Sequence, residues 1–281
     1  MMKLWIDGRE VEATAEQSLL ELVTQMGLMS GKLSTDPLVA KISGRVFTLN
    51  YIPVREKDIK VRESMRRAIA ASGGVIRLMR YTDPIGRDAY RRTAQFILFL
   101  ALSRLWPKAT VKMGCTVGAG AYFKVEDAKD FSAARLAEEV EHIVTENITL
   151  NRRRLPTADA IAYFLEKGQD DKARLLKYRK KERIDLYEVE GFADYYYGEM
   201  APTTGFLRSW EILPAAEGFI FVFPDANDPD RVSPYREMPN FFSVYTEVEQ
   251  EFLGERRFTR IWVRDNRKGA ATQDFLLFGI V

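Results

Sequence analysis

Residues 3–27 read KLWIDGREVEATAEQSLLELVTQMG. The pair Asp7-Gly8 lies between two strand-like runs and marks a two-residue hairpin, because the central positions of such a turn need positive φ. Thr14, with Gln17 three residues on, has capping-box spacing. Leu19, Leu20, Val23 and Met26 then share one helical face, and Gly27 supplies the stop. Downstream, LVAKISGRVFTL (38–49) and DIKVRE (58–63) are strand-like. The order is therefore hairpin, helix, strand, strand.

That order, confined to residues 1–63, fits a small ubiquitin-like β-roll. SMRRAIAASGGVIRLMR (64–80) mixes a basic turn, Ser-Gly-Gly and a short apolar run, and reads as a linker. A larger α+β domain with an antiparallel sheet is expected over 81–250, followed by an extension over 251–281. Its elements are the buried helix RRTAQFILFLALSRLWP stopped by Pro107, and two strands around the glycine bend of ATVKMGCTVGAGAYFKVE. An amphipathic helix with Leu136, Val140, Ile143 and Val144 inward comes next, then two short helices separated by Gly168. IDLYEVEG, DYYYG, WEIL and GFIFVF complete the set as strands.

The 281 residues are 46% hydrophobic and 12% aromatic, enough for one large core and one small one. With 42 basic and 40 acidic residues, net charge points to no particular partner. One cysteine, Cys115, cannot form an internal disulfide, and one histidine, His142, cannot build a multi-histidine zinc site. His142 also lies among Glu139, Glu141 and Glu146, which marks a solvated helix face rather than a Ser-His-Asp or Cys-His arrangement. The amino terminus has no signal-peptide core, and the apolar run FILFLAL is far too short for a membrane span, so a cytoplasmic, non-membrane protein is expected.

No phosphate loop is present in GLMSGKLS (27–34): only three residues separate its glycines, and Leu33 stands where the hydroxyl should follow the lysine. GCTVGAGAY (114–122) lacks dinucleotide-fingerprint spacing and reads as a β-bend. Basic clusters at Arg66–Arg67, Arg91–Arg92, Arg152–Arg154 and Lys177–Lys181 could meet phosphates or form solvated faces.

The serial order of YRRTAQFILFLALSRLWP, GAYFKVE, PTADAIAYFLEKGQDDKARLLKYR and DYYYGEMAPTTGF, after a ubiquitin-like unit, resembles the amino-terminal half of threonyl-tRNA synthetases. That half comprises a TGS domain and an editing-type domain shared with alanyl-tRNA synthetases. The order is similar also to the domain pair preceding the P-loop kinase module of bacterial uridine kinase-like proteins. The resemblance implies an editing-type zinc site carried by a helix pair and a later strand-loop pair. Those positions fall on Arg92, Phe96, Tyr196 and Met200, none a competent zinc ligand. No metal, no cofactor and no catalytic residue is expected.

The implied role is a non-catalytic accessory or regulatory region of a uridine kinase-like protein, with a kinase module in the same or a partner chain. One alternative is a nucleotide- or tRNA-binding cleft in which Arg92 supplies charge, Tyr122, Tyr196 and Tyr197 supply stacking surfaces, and Lys124, Thr203 and Thr204 supply polar contacts. Another is a metal-independent aminoacyl-tRNA deacylase.

Overall fold

The computed structural model describes residues 2–59, 61, 76–179, 182–232 and 234–235. Strands β1 (Met2–Ile6) and β2 (Arg9–Ala13) form the expected hairpin, with Asp7 at φ 44° and Gly8 at φ 80° in its turn. Helix α1 (Leu19–Gln25) starts later than the Thr14 spacing suggests. Its capping box is Ser18 with Glu21: the Ser18 amide donates to Glu21 Oε2 at 2.7 Å, and the Glu21 amide to Ser18 Oγ at 3.2 Å. Thr14 donates its amide to Gln17 Oε1 at 2.9 Å, a separate turn ahead of the helix. Both tetrads fit the capping pattern, and the one adjoining buried Leu19, Leu22 and Val23 starts the helix.

Strands β3 (Val39–Ile42) and β4 (Arg45–Thr48) form a second hairpin. The strand expected at 58–63 is not found: Ile59 and Val61 are helical, and residues 60, 62 and 63 lie outside the described set. Its place is taken by β5 (Ile76–Met79), inside the segment read as a linker. Ile76 pairs in parallel with Ile6, and all of β5 pairs antiparallel with β3, giving the sheet order β2-β1-β5-β3-β4. Ile76 and Leu78 send their side chains into the core with Leu4, Ile6, Leu22 and Ile42, while Arg77 points to solvent. This alternation makes 76–79 the central strand rather than a tether.

Helix α2 (Pro84–Leu105) begins with Pro84 at its first turn, where a missing amide costs nothing, and ends two residues before Pro107. The remaining elements are β6 (Thr110–Val117), β7 (Gly120–Glu126), helix α3 (Ala133–Glu146) and β8 (Asn151–Pro156). Helices α4 (Thr157–Glu166) and α5 (Asp170–Lys177), β9 (Arg183–Val189) and β10 (Phe192–Tyr195) follow. The last described pair is β11 (Glu211–Ala215) and β12 (Gly218–Val222). They form two antiparallel sheets, β11-β12-β7-β6 and β10-β9-β8, so the chain is α+β as expected.

Period-two alternation decides what each sheet covers. Phe123, Phe219 and Phe221 face α2 and α3, whereas Tyr122, Ile220 and Val222 face outward beneath Val232 and Tyr235. Ile184, Leu186, Ala193 and Tyr195 face α4 and α5, whereas Tyr187 and Val189 join the α2 cluster. Helix α2 is buried continuously from Thr93 to Leu102, because it is enclosed on all sides. The segments NFFSVYTE (240–247) and 251–281, together with Arg66–Arg67, Lys180 and Lys181 of the basic clusters, lie outside the described residues.

Candidate functional site

Arg92 and Phe96 lie one helical turn apart on α2 and meet the loop that leaves β10, residues 196–200. The Phe96 ring lies 6.2 Å from that of Tyr196 and 6.5 Å from that of Tyr187, both edge-on. Phe96, Tyr196 and Met200 are buried in one apolar cluster. Arg92 donates from Nε to the Glu199 carbonyl at 3.0 Å. Its guanidinium lies over Gly198, where an added Cβ would be 2.9 Å from Cζ. Next to it, the Thr93 hydroxyl accepts from the Ala201 amide at 2.9 Å and donates to the Ala89 carbonyl at 2.9 Å. The four positions singled out by the resemblance therefore converge, and their side chains fill the place where they meet.

The sequence reading missed the acid at the centre of this loop. Glu199 is 4% exposed, is ion-paired through Oε1 to Arg152, and lies 3.3 Å from the Tyr187 hydroxyl through Oε2. Burial raises its pKa above the usual glutamate value, with Arg152 and the Tyr187 hydrogen bond pulling the other way. Arg152 also stands 3.7 Å from Asp185, which Arg154 holds at 2.7 Å. This network ties β8, β9 and the loop together. A second buried pair, Lys172 Nζ to Asp194 Oδ1 at 2.9 Å, links α5 to β10, although Nζ is off the hydrogen-bonding direction.

The other candidates stand elsewhere. Tyr122 belongs to the outer cluster with Val117, Ile220 and Val222. Tyr197 packs at the edge of the α4–α5 core beneath the Arg179 guanidinium, 4.2 Å from the ring centroid. Lys124 pairs with Glu217 at 2.9 Å at the rim of a cavity of about 890 Å³ floored by Val125, Phe131, Ile212 and Pro214. Thr203 donates to Asn147 Oδ1 at 2.5 Å. Thr204 donates to the Ile143 carbonyl at 2.7 Å and accepts from the Ile148 amide at 2.8 Å. These two hydroxyls fasten the end of α3, so the nine candidates do not line one cleft.

His142 is exposed, 3.8 Å from Glu146, and Cys115 sits where the β6–β7 register shifts. Arg152, Arg153 and Arg154 lie on β8 and pair with Glu199, Glu188 and Asp185. Among the described residues, no group of three or more His, Cys, Asp or Glu side chains is placed to hold a metal ion, and no helix is long and apolar enough to cross a membrane.

An antiparallel α+β core with a helix and a tyrosine-rich loop converging at Arg92 and Met200 is accompanied by a clear similarity. Over about three quarters of its length the chain is threonyl-tRNA synthetase-like. It is 28% identical over 218 residues to a threonine–tRNA ligase of Clostridium kluyveri, covering 76% of this chain and 31% of that protein. It is 30% identical over 223 residues to that of Acetivibrio thermocellus, covering 78% and 32%, and 28% identical over 195 residues to that of Carboxydothermus hydrogenoformans, covering 68% and 28%. The chain thus spans about a third of the length of these curated relatives. No protein-family profile matches it.

Proposed function

We propose that this chain is an accessory region in which a TGS unit, extended to residue 79, precedes an editing-type domain whose metal chemistry has been replaced by packing. A uridine kinase-like parent, with its P-loop module in the same or a partner chain, is the setting that the motif order favours. The observation carrying the non-catalytic reading is the convergence of Arg92, Phe96, Tyr196 and Met200: three are buried apolar or aromatic side chains, and the fourth is a guanidinium bonded to the Glu199 carbonyl. A permanently protonated group and a phenyl ring have no lone pair for a zinc ion. Glu199 does not supply a metal-free substitute, since its carboxylate is buried and held by Arg152 and Tyr187 rather than facing a water-filled cleft.

A second reading, binding of a tRNA or nucleotide, has its own support. Tyr178 is 83% exposed at the end of α5, beside Arg174, Lys177 and Arg179 in sequence, and an aromatic face among cations suits base stacking with phosphate contact. One pair of measurements separates the readings. The purified chain should leave Ser- and Thr-esterified tRNA unhydrolysed and contain no stoichiometric zinc; enzyme-like deacylation would overturn the accessory role. Titration with the same tRNA should give affinity that falls with salt if the basic face binds, and no binding at low salt removes the second reading.

A further inference from the structure

The loop between α1 and β3 contains Ser30-Gly31-Lys32-Leu33-Ser34, whose glycine spacing excludes a phosphate loop of P-loop type. Two carboxylates nevertheless take several of its donors, while the Lys32 amide turns back to Ser30 Oγ at 3.2 Å. Ser30 gives its amide at 2.7 Å and its hydroxyl at 3.0 Å to Asp36 Oδ1, Gly31 gives its amide at 3.0 Å to Oδ2, and Arg208 Nη1 lies 2.8 Å from Oδ2. Asp36 is 1% exposed. Burial opposes its ionisation, but Arg208 and these donors outweigh burial and hold its pKa below the usual range. This carboxylate is a built-in part of the loop.

The next residues serve a carboxylate from far along the chain. Ser34 donates its amide to Asp230 Oδ1 at 3.0 Å and its hydroxyl to Oδ2 at 2.5 Å. Unlike Asp36, Asp230 is exposed. Beside it is a cavity of about 440 Å³ lined by Gly31, Lys32, Arg208, Ser209, Asp228 and Arg231 among others. Since Asp36 neutralises Arg208, the charges left at the cavity are Lys32 and Arg231 against Asp228 and Asp230. With Asp230 withdrawn, the balance becomes positive.

We infer that the Leu33–Ser34 turn and its adjoining cavity form a binding site for a phosphate-bearing anion, with the Asp230 carboxylate as the resident group that such an anion displaces. Two phosphate oxygens can take the amide and hydroxyl that Asp230 now uses, and the greater charge of the phosphate meets Lys32 and Arg231. Displacement frees the segment around Asp230, which continues to Val232 and Tyr235 on the outer face of the four-stranded sheet. Binding at the loop is thereby linked to docking of the chain that follows.

A tethered carboxylate weakens a free competitor by one plus its closing constant, so if the Asp230 contact is closed about nine-tenths of the time or more, removing it should tighten binding of the free anion about tenfold or more. Inorganic phosphate is titrated calorimetrically into the 281-residue chain at constant ionic strength set with chloride. Asp230→Ala and Asp230→Asn should both bind it at least about tenfold tighter than the parent chain. Ser34→Ala in the Asp230→Ala background should abolish that gain, and Lys32→Ala should reduce it. Asp230→Asn keeps the side-chain shape and preserves the test if the alanine variant does not fold. Phosphate binding that is unchanged or weaker in folded Asp230 variants overturns the proposal and leaves the contact as a clasp between segments. The deacylation result above has no bearing on this outcome.

Discussion

Replacing Gly198 by alanine puts a methyl carbon 2.9 Å from Arg92 Cζ and 3.0 Å from Nη2, on a backbone at φ 146°. Two separable costs follow. That φ is rarely adopted by L residues, and holding alanine there costs about 1–3 kcal/mol. The guanidinium must also shift, weakening its Nε bond to the Glu199 carbonyl at 3.0 Å; because Arg92 is only half-buried and water can replace part of that bond, about 1 kcal/mol is the appropriate scale. Together these come to roughly 2–4 kcal/mol, or a fall in melting midpoint on the order of 3–8 °C for a chain of this size. The Arg92→Ala background removes only the second cost. A double-mutant cycle by urea and thermal unfolding should therefore give a coupling energy of about 1 kcal/mol, with Gly198→Ala milder in the Arg92→Ala chain. Equal costs in both backgrounds would refute the packed contact, and a neutral Gly198→Ala would refute the backbone argument as well.

Glu199→Gln tests the buried carboxylate through pH. Because burial raises the pKa of Glu199, the native state holds this proton more tightly than the unfolded chain does, and its contribution improves as pH falls through the folded pKa toward the unfolded value. The unfolding free energy of the parent chain minus that of Glu199→Gln should rise from pH 7 to pH about 4.5; the Asp36 contribution runs the opposite way but is common to both chains and cancels. A flat or opposite difference removes the inference. Phe96→Ala should cost about 3–5 kcal/mol in denaturant unfolding, as expected for a fully buried ring among Tyr187, Phe192 and Tyr196, whereas Phe96→Met should cost less than about 1.5 kcal/mol. A loss below about 1 kcal/mol for Phe96→Ala would show that the ring does not fill the site.

Local chemistry made part of the architecture readable. Asp7-Gly8 needed only its two neighbours to declare a hairpin, and the β6–β7 bend declared itself through glycines, with Gly118 at φ 58° and a Gly120 whose Cβ would meet the Phe221 carbonyl at 2.9 Å. The 3.6-residue spacing of Leu136, Val140 and Ile143 likewise sufficed for α3. What escaped depends on distant partners. Ile76–Met79 is four residues long, and its neighbours in the sheet come from residues 6 and 39–42; DIKVRE has the same local appearance without those partners. NRRRLP reads as a charge cluster until the register with β9 places Arg152 opposite Tyr187. Glu199 met the same obstacle, since its cation lies 47 residues away. The one available signal was an acid within an aromatic run, which must find a cation if it is buried. Thr203 and Thr204 were misleading because a hydroxyl's partner, here the end of α3, has no signature in the sequence beside it.

The pairing of β5 between β1 and β3 also bears on how the chain emerges from a ribosome. The two amino-terminal hairpins can each close within microseconds, yet no strand joins them until residues 76–79 have been made. At roughly 5–20 residues per second, the delay between Thr48 and Ile76 is on the order of seconds, during which the inner edges of β1 and β3 have no strand partner. Those edges are templates for pairing with other chains, so synonymous changes that slow translation between these positions should increase co-translational aggregation or the demand for a chaperone.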